Sequence, residues 1–318
     1  MSDADENRPE PSMAAIVAAS TPPEVAREIE AAYADMIYHY TSARAAFDIV
    51  TGRTLWLTNV KFVNDVLEFE QPIVRLKQMI EHRNTMMRWA ASEPERYFDT
   101  LNEHFKSNWV AHVACFSKRG DSLSQFRLYG QGAGYSLGLQ RTHLQRLASS
   151  ISSGPLPSQA GAGIVDCNYS EQELFRWCDV YARNFFEAAR RLDDGKMGPQ
   201  ELWHEIGSKT DLFDQRLMAQ MTFKSHQFDV EQEVRFYKFG FAGEQRWRVS
   251  RGGNYMVPFL EVNIGNEPYR SKITPGPNLD MELANATCSE IIKAAKKHGT
   301  VWKIALSGPA DSGFRAGL

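Results

Sequence analysis

The sequence predicts an α+β fold in which helices flank a mixed central sheet. Three observations carry this. Short strand-like segments are interrupted by helical ones instead of running consecutively. No self-similarity appears at the roughly 20–50 residue periods that mark solenoids. The chain has 318 residues, 43% of them hydrophobic and 24% charged, enough apolar material for a large buried core. One domain is expected over 23–318, behind a disordered tail at 1–22 and with a mobile insertion at 149–163.

The tail is acidic and contains proline, and Pro22-Pro23 opens a helix with Val25, Ile29, Tyr33 and Met36 on one face. Met36–Tyr40 reads as a strand. Thr41 or Ser42 can cap the helix that follows, whose apolar positions are Ala45, Ala46, Ile49 and Val50. Gly52 is placed to end that helix as a left-handed residue, and Thr54–Thr58 alternates as a second strand. A polar turn through Asn64 and Asp65 leads into a helix carrying Ile73, Leu76 and Ile80, which Pro94 ends before a further helical pattern at 97–109. Its Met and aromatic stripe is the pattern of core packing rather than of a cofactor site.

Val110–Ser117 is a buried strand ending in a Lys-Arg-Gly-Asp turn, and Ser122–Tyr129 is helical. Gly130, Gly132 and Gly134 precede the strand Tyr135–Leu139, not a helix, so they lack the context of a nucleotide-phosphate loop. Further on come a strand near Ile164–Tyr169, a helix over Glu171–Leu192, helical stretches from Gly198 and over Asp211–Met221, and strands at Val230–Phe239, Tyr255–Val262 and Trp302–Leu306. A helix fills Asp280–His298.

The formal net charge of −3 argues against a dedicated nucleic-acid coat. Four widely spaced cysteines form no C-x-x-C pair, which fits a reduced, cytoplasmic protein without a disulfide frame or zinc ribbon. Neither a secretory leader nor a run of about 20 apolar residues is seen, so no membrane partner is expected.

Two stretches could carry chemistry. His39 stands at a strand end beside a helix N-terminus, where it can donate to a ligand while the helix amides favour anions. In Val230–Tyr237, strand periodicity places Glu231, Glu233 and Arg235 on one face, close enough for the two carboxylates to repel. If that face lines a cleft, Arg235 holds one carboxylate ionised beside the other. A third reading is a glycosidase using Glu231 and Glu233, which the spacing disfavours because residues two apart on one strand do not flank a bond from opposite sides. His104, His112 and the Trp203-His204-Glu205 run lack metal-ligand spacing, and Cys115 lies within an apolar run as a packed thiol.

Taken in order, Tyr38-His39-Tyr40-Thr41, Gly52-x-Thr54-Leu55-Trp56-Leu57-Thr58, Asn64-Asp65-x-x-Glu68, Cys115-Phe116-Ser117, Phe126-x-x-Tyr129 and Glu231-x-Glu233-x-Arg235 resemble the bacterial family known as domain of unknown function 2971. That family usually carries proline where this chain has Val66 and tryptophan where it has Phe126. The opening unit also resembles the first motif of ADP-ribosyltransferases of the His-Tyr-Glu type. This resemblance implies an ADP-ribosyltransferase-like fold that takes NAD as substrate, without a metal, and passes ADP-ribose to a protein, a nucleic acid or water. It implies that His39 holds the nicotinamide ribose and that Tyr40 or a later aromatic stacks on nicotinamide. Glu233 then promotes cleavage of the N-glycosidic bond, and Trp56, Thr58 and Asn59 fall in the place of the second motif. Tyr38, Thr41, Asn64, Asp65, Ser117 and Tyr129 join the expected NAD site, with Glu231 and Arg235 on the substrate side. The alternative is a catalytically silent module that binds a nucleotide or a protein.

Overall fold

In the computed structural model, which describes residues 35–63, 66–87, 98–99, 102, 109–130, 134–154, 159–193, 212–241, 245–250, 254–265, 271–296 and 302–304, the run 109–117 is the strand on which the sheet branches. The opening unit forms as its sequence suggests: β1 (Met36–Thr41), α1 (Ala43–Gly52) and β2 (Thr54–Asn59). Ser42, rather than Thr41, caps the helix by accepting from the Ala45 amide at 3.4 Å. Gly52 stays helical and the left-handed position falls to Arg53, at φ 54° and ψ 36°.

Then follow α2 (Val66–Met87), β3 (Trp109–Ser117), α3 (Leu123–Tyr129), β4 (Tyr135–Gln140), α4 (Arg141–Ile151), β5 (Ala162–Asp166), α5 (Glu171–Asp193) and α6 (Leu212–Thr222). The chain closes with β6 (Glu233–Phe241), β7 (Arg246–Val249), β8 (Met256–Asn263), β9 (Ser271–Pro275), α7 (Met281–Lys296) and β10 (Trp302–Ile304). Helix α4 and strands β7 and β9 are additions to the sequence expectation. Of the stretch expected to be an insertion, Ser149–Ile151 complete α4 and Ala162 and Gly163 open β5. The tail at 1–22, the helix expected after it, Asn64, Asp65, most of 97–109 and the stretch 198–206 lie outside the described residues.

Along one edge of β3, β6 pairs antiparallel from Trp109↔Phe241 to Ser117↔Glu233, with β5 outside it. The other edge is shared. β1 meets it at Tyr38↔Ser117, and β2 meets it at Thr58↔Val113 and Asn59↔His112. From β1 the sheet runs on to β4, β9 and β10, and from β2 to β8 and β7, so two arms diverge from a single strand. Every described pairing between these strands is antiparallel except β9 with β10.

Alternation sends neighbouring side chains to opposite faces. On one face Ile37, Leu57, Phe116, Leu137 and Phe236 pack with α1, α4 and α7 through Val50, Leu144 and Ile292. On the other, Val113 and Phe239 pack with α2, α5 and α6 through Leu76, Phe185 and Leu217. The α+β fold is thus an antiparallel, curled sheet with one parallel edge pair and helices on both faces.

His112 is 1% exposed, registered between Asn59 and Lys238. Burial lowers its imidazole from 6.5 to about 4; Gln245 opposes the shift and Lys238 adds to it. The unfolded chain therefore takes up this proton before the folded one. Stability from this site is whole above pH 6.5 and is lost as pH falls to about 4. The full loss is about 3 kcal/mol. Urea unfolding of His112→Leu at pH 7 and pH 4.5 is expected to show a weaker acid dependence than the parent.

The turn before β4 offers a second test. A Cβ on Gly134 meets the Thr41 carbonyl oxygen at 2.3 Å and Gly130 Cα at 2.5 Å, whereas on Gly52 the nearest atom is the Thr54 hydroxyl at 3.4 Å. Gly134→Ala is expected to lower stability by about 1–3 kcal/mol. Gly52→Ala, at a helical position, is expected to be neutral or to add up to about 1 kcal/mol. Thermal unfolding of the two variants compares them directly.

Candidate functional site

Five residues share a row across five adjacent strands. Lys272 opposes Gly138, Gly138 opposes Tyr38, Tyr38 opposes Ser117, and Ser117 opposes Glu233. Directly opposed residues of antiparallel strands project to the same face. Glycine at position 138 leaves the space that the Tyr38 ring fills, since a Cβ there meets the ring at 2.9 Å. Gly120, in the turn after β3, lies against the same ring, and the Lys272 ammonium is 5.9 Å from its centroid.

The strand expected at Val230 begins instead at Glu233. Residues His226–Glu231 form a 3-10 turn, and Gln232 takes a left-handed conformation at φ 44°, ψ 49°. The two carboxylates are nonetheless together, because one cation joins them. Lys224 Nζ lies 2.7 Å from Glu231 Oε2, 2.5 Å from Glu233 Oε2 and 3.2 Å from Glu68 Oε2. Arg235 Nε donates to Glu233 Oε1 at 3.0 Å, and its Nη2 pairs with Glu68. Three carboxylates thus meet two cations, leaving one negative charge in excess. The cluster is buried rather than lining an open cleft: Glu233 is 5% exposed, Glu231 6% and Arg235 0%.

Burial alone lowers the Lys224 ammonium, but Glu233 and Glu231 outweigh it and raise it above its ordinary value. Burial lowers Arg235 to about 9, which keeps it charged at neutral pH. Burial also pushes the Cys115 thiol up, and adjacent Glu233 adds to this, so Cys115 is a protonated donor, not a nucleophile. The Tyr129 phenol, at the end of α3, is raised by burial and then by Glu231.

Backbone contacts fix the cluster. Ser117 Oγ donates to the Glu231 carbonyl at 2.7 Å and accepts from the Arg119 amide at 3.1 Å. The Glu233 amide donates to the Tyr169 hydroxyl at 2.8 Å. Lys224 is held in place where its amide donates to the Asn168 carbonyl at 3.1 Å, just beyond α6.

The other expected residues divide between places. His39 Nδ1 lies 2.9 Å from the Cys115 carbonyl oxygen, and its ring is 5.5 Å from that of Phe116. By alternation it belongs to the face of Phe116 and Val234, opposite to that of Glu233. Thr41 shares the His39 face and is 3% exposed. Tyr40 donates to the Arg119 carbonyl at 2.7 Å, accepts from the Ser122 amide at 2.9 Å and meets Phe126 edge-on, so its ring is packed. Trp56 and Thr58 sit in the β2–β8–β7 arm, where Arg248 lies 5.5 Å from the Trp56 ring and donates to Thr58 Oγ1 at 2.9 Å. A groove of about 640 Å³ between α4 and β8 and a cavity of about 160 Å³ beside Phe69 and Arg216 are lined by neither Glu233 nor His39. Among the described residues, no group of three His, Cys, Asp or Glu is placed to hold a metal ion, and no helix is long and apolar enough to cross a membrane.

Sequence reasoning missed Lys224 and Tyr169 as members of the site. Glu68 stood in the Asn64-Asp65-x-x-Glu68 motif, but no role followed from it. Nothing in the spacing marks Lys224, which follows an apolar helix as an ordinary polar residue.

Arg235 also donates to the Gln220 and Met221 carbonyls at 3.2 and 3.0 Å, joining the sheet to the end of α6. Arg235→Met is expected to lower stability by about 3–5 kcal/mol in urea denaturation, because two buried carboxylates and two carbonyls lose their donor.

Comparison of the chain with family models, with curated proteins and with solved structures finds no match.

Proposed function

We propose that the chain binds NAD and breaks its nicotinamide–ribose bond, passing ADP-ribose to a macromolecular acceptor or to water, with Glu233 as the catalytic carboxylate. The observation that supports this most is the row Tyr38–Ser117–Glu233. It sets the strand of the first motif, the Cys115-Phe116-Ser117 strand and the glutamate strand side by side. On this reading β3, not β2, occupies the position of the second motif, and Ser117 takes the part expected of Thr58.

The chemistry asks for an anion near ribose C1′, where positive charge develops as nicotinamide leaves. Positioning and electrostatics meet that demand without a covalent nucleophile. Both oxygens of Glu233 lie against cations, Oε2 against Lys224 and Oε1 against Arg235. Tyr38, seated on two glycines beside Ser117, takes the stacking role expected of Tyr40. His39 acts at one remove, through the backbone of Cys115.

A second reading, the catalytically silent binding module, is favoured by a specific observation. Both Glu233 oxygens are already engaged inside a buried cluster. Incubation with labelled NAD separates the two, with nicotinamide release and label on macromolecules scored independently. NAD binding by calorimetry without either product selects the silent module.

If the enzyme reading holds, Glu233→Gln is expected to lower nicotinamide release by about 10²–10³-fold. Glu231→Gln should retain hydrolysis better than transfer. An unchanged rate in Glu233→Gln removes Glu233 from the chemistry.

A further inference from the structure

The cavity beside Phe69 and Arg216 lies apart from the Glu233 cluster and has walls of its own character. Helix α2, strand β3 and helix α6 contribute Ile73, Val110 and Leu217 to it. At about 160 Å³ it matches a cavity of about 150 Å³ that admits one benzene ring. Unlike a purely apolar void, it has charged side chains in its lining. Among the described residues these are Lys61, Glu70, Lys77 and Arg216, three cations to one carboxylate. Lys61 and Glu70 are exposed, and Lys77 forms a half-exposed pair with Asp99 at 2.8 Å, so these three stand at the rim. Arg216 is 3% exposed and is the charge inside. We propose that this cavity binds a small monocarboxylate with an aromatic or branched apolar body, its carboxylate on the Arg216 guanidinium and its body against Phe69, Ile73 and Leu217.

The lining selects that class of ligand. Burial lowers Arg216 to about 10, with Tyr181 opposing the shift, so the guanidinium is charged at neutral pH. A cation in a dry enclosure favours an anion beside it, because little water screens the attraction. Arg216 Nη2 donates to Asn102 Oδ1. A planar guanidinium carries five donors, so the same group can serve Asn102 and one carboxylate together. The amides in the wall are held by protein contacts. Gln220 Nε2 donates to the Phe69 carbonyl at 3.1 Å, and Asn59 Nδ2 donates to Gln245 Oε1 at 3.3 Å. They leave the guanidinium as the charged anchor of an otherwise apolar interior. A cationic ligand would meet Arg216 at the bottom, and a dianion would exceed the one buried positive charge.

The test titrates the full chain at pH 7 with benzoate, benzyl alcohol and benzylamine, which share one ring and differ in charge. Calorimetry reads affinity, and thermal unfolding reads the stabilisation that binding confers. Benzoate is expected to raise Tm and to bind about 10- to 100-fold more tightly than benzyl alcohol, as for a hydrogen bond to a charged group, with benzylamine weakest. Arg216→Met, which keeps an apolar side chain, should abolish the preference for benzoate while benzyl alcohol still binds. Ala111→Phe fills the cavity from β3 and should abolish binding of all three. The proposal is overturned if benzoate does not bind, or binds no more tightly than benzyl alcohol. A preference that survives Arg216→Met, or binding that survives Ala111→Phe, overturns it equally. Should either variant not fold, Arg216→Gln and Ala111→Leu carry the same comparisons. None of these readouts uses NAD, so the result stands whether or not the chain cleaves it.

Discussion

The architecture depends on how one strand satisfies its two edges. A buried backbone amide or carbonyl left unpaired costs free energy comparable to a lost hydrogen bond, so each edge of β3 needs a partner along its length. On one side β6 supplies it for all nine paired positions. On the other, β1 reaches only as far as Ser117 and β2 only as far as His112 and Val113. Between them the Cys115 carbonyl faces a gap, and there His39 Nδ1 makes its 2.9 Å contact. The fork therefore follows from two short strands sharing an edge, with a side chain serving the position that neither ladder covers.

On the other face the constraint is electrostatic. Burying five ionised groups is unfavourable unless each is paired and further satisfied by hydrogen bonds. Glu231 is paired through Lys224, and the other four each have more than one contact. Lys224 touches three carboxylates, and Arg235 reaches two carboxylates, two helix-end carbonyls and the face of Phe69 at 4.3 Å. Carbonyls at the end of α6 carry partial negative charge, so a guanidinium there complements the helix dipole. The cluster thus joins α2, the end of α6, the 3-10 turn and β6, segments far apart in the chain. Such an arrangement specifies which elements meet more than it adds net stability, because a cation without its partners is costly to bury.

Legibility from sequence followed the local signals. The alternation of Thr54–Thr58, the apolar run at Val110–Ser117 and the periodicity of Glu171–Leu192 each became the expected element, because burial on a face leaves a repeating mark. Strand β7, Arg-Trp-Arg-Val at the sheet edge, leaves no such mark, since Trp247 and Val249 are exposed there. Strand β9 contains Lys272 and ends at Pro275, both atypical of a central strand. The start of β6 was displaced because Glu231, Glu233 and Arg235 fit strand spacing whether or not the backbone at Gln232 continues it. The left-handed turn there is a tertiary requirement, set by the Ser117 contact to the Glu231 carbonyl. The pairing of Glu231 with Glu233 was legible as proximity, but the cation between them was not, since Lys224 reaches them through the fold.

The alternation of β1 also limits what a site on either face can contain. In Tyr38-His39-Tyr40-Thr41, the two tyrosines project toward the Glu233 row and α3, while His39 and Thr41 project toward Phe116 and α1. Four consecutive residues of a strand cannot all enter one pocket. A ligand on the Glu233 face therefore meets Tyr38 directly, finds Tyr40 already packed against Phe126, and senses His39 only through the Cys115 peptide. Between Val113 and Ser117 the edge of β3 pairs with neither β1 nor β2, and at that fork His39 reaches the Cys115 carbonyl. Chemistry that needs Glu233 alone therefore belongs on the tyrosine face, with His39 behind the sheet.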